Sequence, residues 1–297
     1  MSSGASKRIA APIMVLALVM QTTAGLASAT MTPPGTGDWT IESYEDVHIT
    51  SQTLVNGDLD IYGSLTIDDS SLAIQGSSNG QRTVTVHGGG TLTVLNGSSI
   101  KSYTSTCYDI HVDTNGALEV NNGSLEDSCW INVERSEFSL VDAEIENTHI
   151  AFQMGAFNHP DTPNIVMDRV TFSGCPSWVG EYAWSSVIFF EDAYDNDLST
   201  DGDTELDGYT AIGDLEFYDI CDRQILVGVN NGWKQDIEIS GLLLDNSETD
   251  VHMSYARTVT PAIFLQGGTG YDNGLTVRNA TLRDAVKYIF SGGSSGS

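Results

Sequence analysis

Gly57-Asp58-Leu59-Asp60-Ile61-Tyr62-Gly63-Ser64-Leu65-Thr66-Ile67-Asp68-Asp69-Ser70-Ser71-Leu72 is the stretch from which the rest of the chain is read. Leu59 and Ile61 flank a polar residue, and so do Leu65 and Ile67. An apolar spacing of two is a strand with one buried face. Leu72 then opens a third short apolar stretch. The segment therefore reads as three short strands, A, B and C, joined by tight turns.

The same phrase recurs along the chain, the signature of a repeat architecture. Strand A returns as Val84/Val86, Ile110/Val112, Ile131/Val133, Ile150/Phe152, Ile188/Phe190, Ile225/Val227, Ile263/Leu265 and Ile289. Strands B and C return as Leu92/Val94 with Ile100, Leu118/Val120 with Leu125, Phe138/Leu140 with Ile145, and Ile165/Met167 with Phe172. Leu215/Phe217 reads as a degraded B strand, before Ile237/Ile239 with Leu244 and Leu275/Val277 with Leu282. The B strands at 65, 92, 118, 138 and 165 are spaced by 27, 26, 20 and 27 residues. That period fits a three-strand coil and is too short for a strand–helix–strand unit.

A turn position supports the same reading. Four residues after each B start stand Asp69, Asn96, Asn122, Asp142, Arg169, Asp219, Gly241 and Asn279. All but Arg169 are types that tolerate the left-handed backbone a tight corner needs. One coil cannot bury its own apolar face. Stacking coils about 4.8 Å apart pairs each strand with its copies and fills a common core. The expectation is an all-β, parallel β-solenoid of about eight to nine coils, with Trp39 to Ile49 covering its first coil.

Lys7 and Arg8, the apolar run Ile9 to Met20 and the small residues Ala27-Ser28-Ala29 read as a secretory signal peptide over 1–29. A retained N-terminal anchor is the alternative. Residues 30–37 form a linker, 38–290 the solenoid with long loops from about 153 onward, and 291–297 a Gly/Ser tail. No other run approaches the length of a membrane span, so a soluble extracellular or cell-envelope protein is expected. No C-terminal cap is evident, which points to a capping partner or to a missing C-terminal region. Forty acidic against twelve basic residues give a net charge of -28. Such a surface repels nucleic acid and acidic lipid headgroups, and it suits salty surroundings and divalent cations.

Four cysteines in an exported chain favour disulfides. Cys107 and Cys129 precede strand A of successive coils, and Cys175 and Cys221 follow strand C. Stacking predicts the pairs Cys107–Cys129 and Cys175–Cys221.

With this pattern the chain resembles the right-handed parallel β-helix proteins of the pectin-lyase-like group. More narrowly, phrases such as Gly57 to Ile67 are similar to those of secreted repeat proteins of archaea and bacteria. The resemblance spans roughly Trp39 to Phe290 and implies architecture, with a right-handed winding. The group holds pectate lyases, polygalacturonases, adhesins and surface-layer components, so the fold selects no single activity.

Candidate chemistry lies in the later loops. The A–B loops of about 153–163, 191–214, 228–235 and 266–273 carry Phe157, His159, Asp161, Asp192, Tyr194, Asp195, Asp197, Trp233, Lys234, Tyr271 and Asp272. Long loops on a rigid scaffold are where binding residues concentrate. Aromatic rings beside carboxylates suit a polysaccharide or cell-surface glycan, though packing beneath the loops explains the same aromatics. The C–A loops carry Trp178, Glu181, Tyr182, Trp184, His252, Tyr255 and Arg257. Asp203, Glu205, Asp207, Gly208 and Asp214 match positions 1, 3, 5, 6 and 12 of an EF-hand-like loop, which makes calcium the one cofactor suggested. Glu at position 3 and Asp at position 12 depart from that pattern, and a solvated acidic loop explains the same residues. The lyase phrase Arg-x-Pro-x-x-Arg and the Asn-Thr-Asp and Arg-x-Lys phrases of polygalacturonases are missing. A polysaccharide lyase or hydrolase thus ranks behind a glycan-binding or adhesive protein, with a passive stalk third. The sequons at Asn96, Asn122 and Asn279 fall on the corner position, which by itself explains the asparagines.

Overall fold

The computed structural model describes residues 36–154, 163–174, 186–192, 210–218, 220, 223–228, 236–245, 263–267, 274–283 and 290–294. All regular structure in them is strand. The first four repeats contribute β1 (Trp39–Ile41), β2 (Asp46–Ile49), β3 (Thr53–Val55), β4 (Leu59–Ile61), β5 (Ser64–Asp68), β6 (Ser71–Ile74), β7 (Thr83–Val86), β8 (Thr91–Leu95), β9 (Ser99–Ser102), β10 (Tyr108–Val112), β11 (Ala117–Asn121) and β12 (Ser124–Glu126). The chain continues with β13 (Ser128–Val133), β14 (Glu137–Glu146), β15 (Ile150–Met154), β16 (Asn164–Ser173), β17 (Ser186–Asp192) and β18 (Thr210–Tyr218). It ends with β19 (Arg223–Gly228), β20 (Asp236–Asp245), β21 (Ile263–Gly267), β22 (Gly274–Arg283) and β23 (Phe290–Ser294).

Every pairing is parallel. A ten-stranded sheet runs β1-β4-β7-β10-β13-β15-β17-β19-β21-β23, the A strands in chain order. The B and C strands form a thirteen-stranded sheet. Successive copies lie in strict register: Leu65 opposite Leu92, Leu92 opposite Leu118, Leu118 opposite Phe138, and Phe138 opposite Ile165. The inward residues form one continuous core from Trp39 to Leu244. The core changes character along the chain. Apart from Trp39 and Tyr108 it is aliphatic through the early repeats, then gains stacked rings: Phe152 stacks on Phe190 at 5.4 Å and Phe172 on Phe217 at 4.7 Å. Each such buried side chain contributes about 1.5–3 kcal/mol by area removed from water.

The B–C corner is the expected left-handed turn. Asp69, Asn96, Asn122, Asp142, Arg169 and Asn279 have φ between 47° and 56°, and Gly241 has φ 91°. In β14, β16, β18, β20 and β22 the corner residue sits inside one long strand, and the ladder skips that residue alone: Val141 faces Asp168 and Ala143 faces Val170. Arg169, the atypical corner residue, hydrogen-bonds the carboxylate of Asp142 at the preceding corner with both Nε and Nη2.

Three expectations need correction. Trp39 to Ile49 is no separate cover: β1 pairs with β4 and β2 with β5, so this segment is itself the first rung. Leu215 and Phe217 are strand C, opposite Val170 and Phe172, while Ile212 opposite Met167 holds the B position. The corner there is Asp214 (φ 50°), and Asp219 lies outside the described residues. The B half of this repeat offers Thr210, Ile212 and Gly213, too little apolar signal to anchor the period. Finally, Phe290 rather than Ile289 aligns with Ile263, and the ladder continues to Ser294 in the Gly/Ser segment. Two adjacent apolar residues leave a period of two ambiguous.

Two substitutions test this packing by urea unfolding. Leu118→Ala, at a wholly buried position, is expected to cost about 2–5 kcal/mol. Asn122→Val, forcing a β-branched residue to φ 53°, is expected to cost about 1–2 kcal/mol, with Asn122→Gly near neutral.

Candidate functional site

The stems of the long segments are placed by the sheets. β15, β17, β19 and β21 are consecutive neighbours, and their C-terminal ends at Met154, Asp192, Gly228 and Gly267 launch the four A–B segments. Those segments re-enter at β16, β18, β20 and β22, again consecutive neighbours. All four therefore leave and return along one edge. Asp192 is in β17, in register with Met154. Asp214 stands at the B–C corner with its carboxylate against the backbone position of Gly241, where a side chain would collide with it. His159, Asp161, Tyr194, Asp195, Asp197, Asp203, Glu205, Asp207, Trp233, Lys234 and Tyr271 lie outside the described residues, as do Cys175 and Cys221. Among the described residues no group of three or more His, Cys, Asp or Glu is arranged to hold a metal ion.

The expected bridge between Cys107 and Cys129 is present, with Cα atoms 5.1 Å apart across neighbouring repeats. It fixes the entry to β10 and β13, and Trp130 packs against it.

Beside that bridge, the outward face of the ten-stranded sheet carries a polar surface that inward periodicity does not reveal. Asp109 pairs with Trp130 in the ladder, and the Trp130 ring lies 5.2 Å from the His149 ring. One step along the strands stand His111 and Asn132, in register with each other. His111 lies between the inward Ile110 and Val112 and points away from the core. Asp113 and Glu134 follow at the strand ends, and the Thr114 hydroxyl donates to Glu134 at 3.3 Å. In the preceding repeats Tyr62 stacks on His87, whose ring nitrogens meet Asp60 and Asp113. His149 is buried beneath Trp130, and the groups left accessible, Tyr62, Trp130, His111, Asn132, Asp113 and Glu134, supply rings, carboxylates and an amide that can stack on and hydrogen-bond to polyhydroxylated ligands. The signal that finds them is the outward parity of strand A, read across repeats rather than along one.

Burial raises the Asp109 carboxyl above the usual aspartate range, against the opposing pull of His111 and the Trp130 backbone N–H. Burial also raises Asp127, and Glu146, with the Glu126, Asp127 and Glu144 charges adding to the latter. Glu126 and Glu146 sit directly opposite in the ladder, a like-charge pairing that weakens a sheet. At the corner the Arg169 guanidinium holds Asp142 below the usual range.

A raised carboxyl favours the neutral form in the fold, so its cost to stability grows as pH rises through the folded-state value and vanishes at low pH. Asp109→Asn is therefore expected to raise the melting temperature near pH 7, with the gain disappearing toward about pH 4. Thermal melts of both proteins across that range check it. Peptide mapping without reduction is expected to return Cys107–Cys129 together with Cys175–Cys221.

Comparison with protein-family models, with curated proteins and with solved structures gives no match for this chain. Its own residues alone carry the functional reading.

Proposed function

We propose that the parallel ladders wind right-handed as a β-helix of the pectin-lyase-like kind, secreted or held at the cell surface, and that it binds a polysaccharide or cell-surface glycan. The observation that carries this reading is the alignment of β15, β17, β19 and β21, which sends four long segments to one edge of a rigid sheet. Those segments contain His159, Asp161, Tyr194, Asp195, Asp197, Trp233, Lys234 and Tyr271, the rings and polar groups a sugar chain needs. The polar face around Trp130, His111 and Asn132 belongs to the same sheet and extends the surface toward the early repeats. Adjacent strands about 4.8 Å apart make a regular template for a repeating ligand. The Cys107–Cys129 bridge supports an oxidising compartment. Net charge favours neutral or cationic glycans over polyuronates, because a charge of -28 repels a polyanion.

A glycan array combined with reducing-sugar and unsaturated-product assays tests the proposal. Binding without turnover is expected, weakened at least tenfold by Trp233→Ala together with Tyr271→Ala. Turnover of any polysaccharide would make the protein a lyase or hydrolase, and neither binding nor turnover would leave a structural stalk. Calcium titration of metal-stripped protein tests the acidic segment 203–214, and heat at millimolar calcium is expected if Asp203, Glu205 and Asp207 act as ligands.

A further inference from the structure

Asn279-Ala280-Thr281 is a sequon inside β22, and Asn279 turns its B–C corner at φ 56°. Asn96-Gly97-Ser98 and Asn122-Gly123-Ser124 are sequons at earlier corners. The corner accounts for all three asparagines, but it leaves the three triplets in different surroundings.

The first two are held into the sheet by their neighbours. Asn96 donates from Nδ2 to the Asp68 carboxylate at 2.7 Å. Ser98 is wholly buried, and its Oγ accepts from the Ser70 backbone N–H at 3.1 Å. Gly97 donates its N–H to the Asn122 carbonyl oxygen, and Asn122 donates its own to the Val141 carbonyl oxygen. A Cβ on the buried Gly123 would strike Val94 and the Ser98 carbonyl oxygen. The Ser124 hydroxyl donates to Glu126 at 2.7 Å.

The third triplet stands open. β22 pairs with β20 and with no other described strand. Asn279, Ala280 and Thr281 are all exposed. Ala280 continues the inward row of Val170, Leu215 and Leu242, each of them buried, so its exposure marks an uncovered edge. Val277 and Leu282, on either side of the triplet, are only partly buried. An unpaired strand with apolar side chains invites pairing with another chain.

We propose that Asn279 is an N-glycosylation site read on the folded chain, and that the saccharide it carries stands over the open edge of β22. The proposal rests on the exported reading above, because sequons are modified in exported chains. The donor is a saccharide joined through phosphate to a membrane lipid. Asn279 Nδ2 forms a bond to the anomeric carbon as the bond from that carbon to the phosphate oxygen breaks. The lipid phosphate leaves with the electron pair, and Nδ2 gives up one proton. A bulky, hydrated group at this corner keeps a foreign strand from adding to the ladder. Asn96 and Asn122 react only when the sheet opens locally.

The folded, unglycosylated full chain is incubated with a sequon-specific oligosaccharyltransferase and its lipid-linked donor, and the saccharide is located by peptide mass spectrometry. Asn279 is expected to react about tenfold faster than Asn96 or Asn122, a preference that isolated peptides carrying the three sequons lose. Thr281→Ala keeps the corner asparagine and is expected to abolish modification at Asn279. An unmodified Asn279, or equal modification of the three sites in the folded chain, overturns the proposal. A second arm expresses the chain with its leader in a secreting eukaryotic cell. An exported chain bare at Asn279 overturns this proposal alone, whereas a chain that stays inside the cell overturns the exported reading and the proposal with it. In sedimentation, Thr281→Ala is expected to self-associate at concentrations where the glycosylated chain does not, and equal association overturns the shielding role.

Discussion

The structure depends on one constraint: like residues of successive repeats lie opposite each other in parallel ladders, and alternate side chains share one interior. Leu65, Leu92, Leu118, Phe138 and Ile165 form such a row without a slip. Because a strand's side chains alternate faces, a shift of one residue would turn a whole row outward. Register is therefore held by every buried residue at once, and the rest of the molecule follows from it. The corner must recur at one place in each repeat, and residues with a small or polar side chain tolerant of positive φ must occupy it.

The same constraint builds the outer face. A residue's neighbours there are the equivalents one repeat away, eighteen to forty-five positions distant in the chain. Asp60, His87 and Asp113 meet in this way, as do Asp142 and Arg169 at the corner and Cys107 and Cys129 at the entry to their strands. Repetition concentrates like with like. That favours the core and the phenylalanine stacks, but it also sets Glu126 against Glu146 and raises the carboxyls around them. Arg169 at an otherwise Asn/Asp/Gly corner turns one such column from repulsion to attraction.

The core was legible in the sequence because burial imposes a period of two on Leu, Ile, Val and Phe, and among the described side chains nearly every residue read as inward is buried. The corner was legible wherever the B strand had two strong apolar residues. It was displaced where Thr210 and Gly213 weakened the pattern, which is why Asp219 stood in for Asp214. The first rung was misread because Val47 stands only 18 residues before Leu65, short of the spacing set by the later B strands. The polar face was not legible: outward residues obey no period, and the tie between His87 and its two aspartates exists only once register is known. The long segments carry no repeat at all, so the sequence names their residues without saying which of them meet.

Engineered cross-linking tests the central claim most directly. Glu119 and Ser139 lie opposite each other on adjacent strands, within the Cα range a disulfide spans, whereas Glu119 and Thr171 belong to different rows two repeats apart. Cysteine pairs at Glu119/Ser139 and at Glu119/Thr171 are oxidised in the folded chain and mapped by mass spectrometry. Near-complete bridging of the first pair and none of the second is the expected result. Failure of the first pair to bridge in a chain that keeps its β-rich circular dichroism, or equal bridging of both, would contradict in-register parallel stacking.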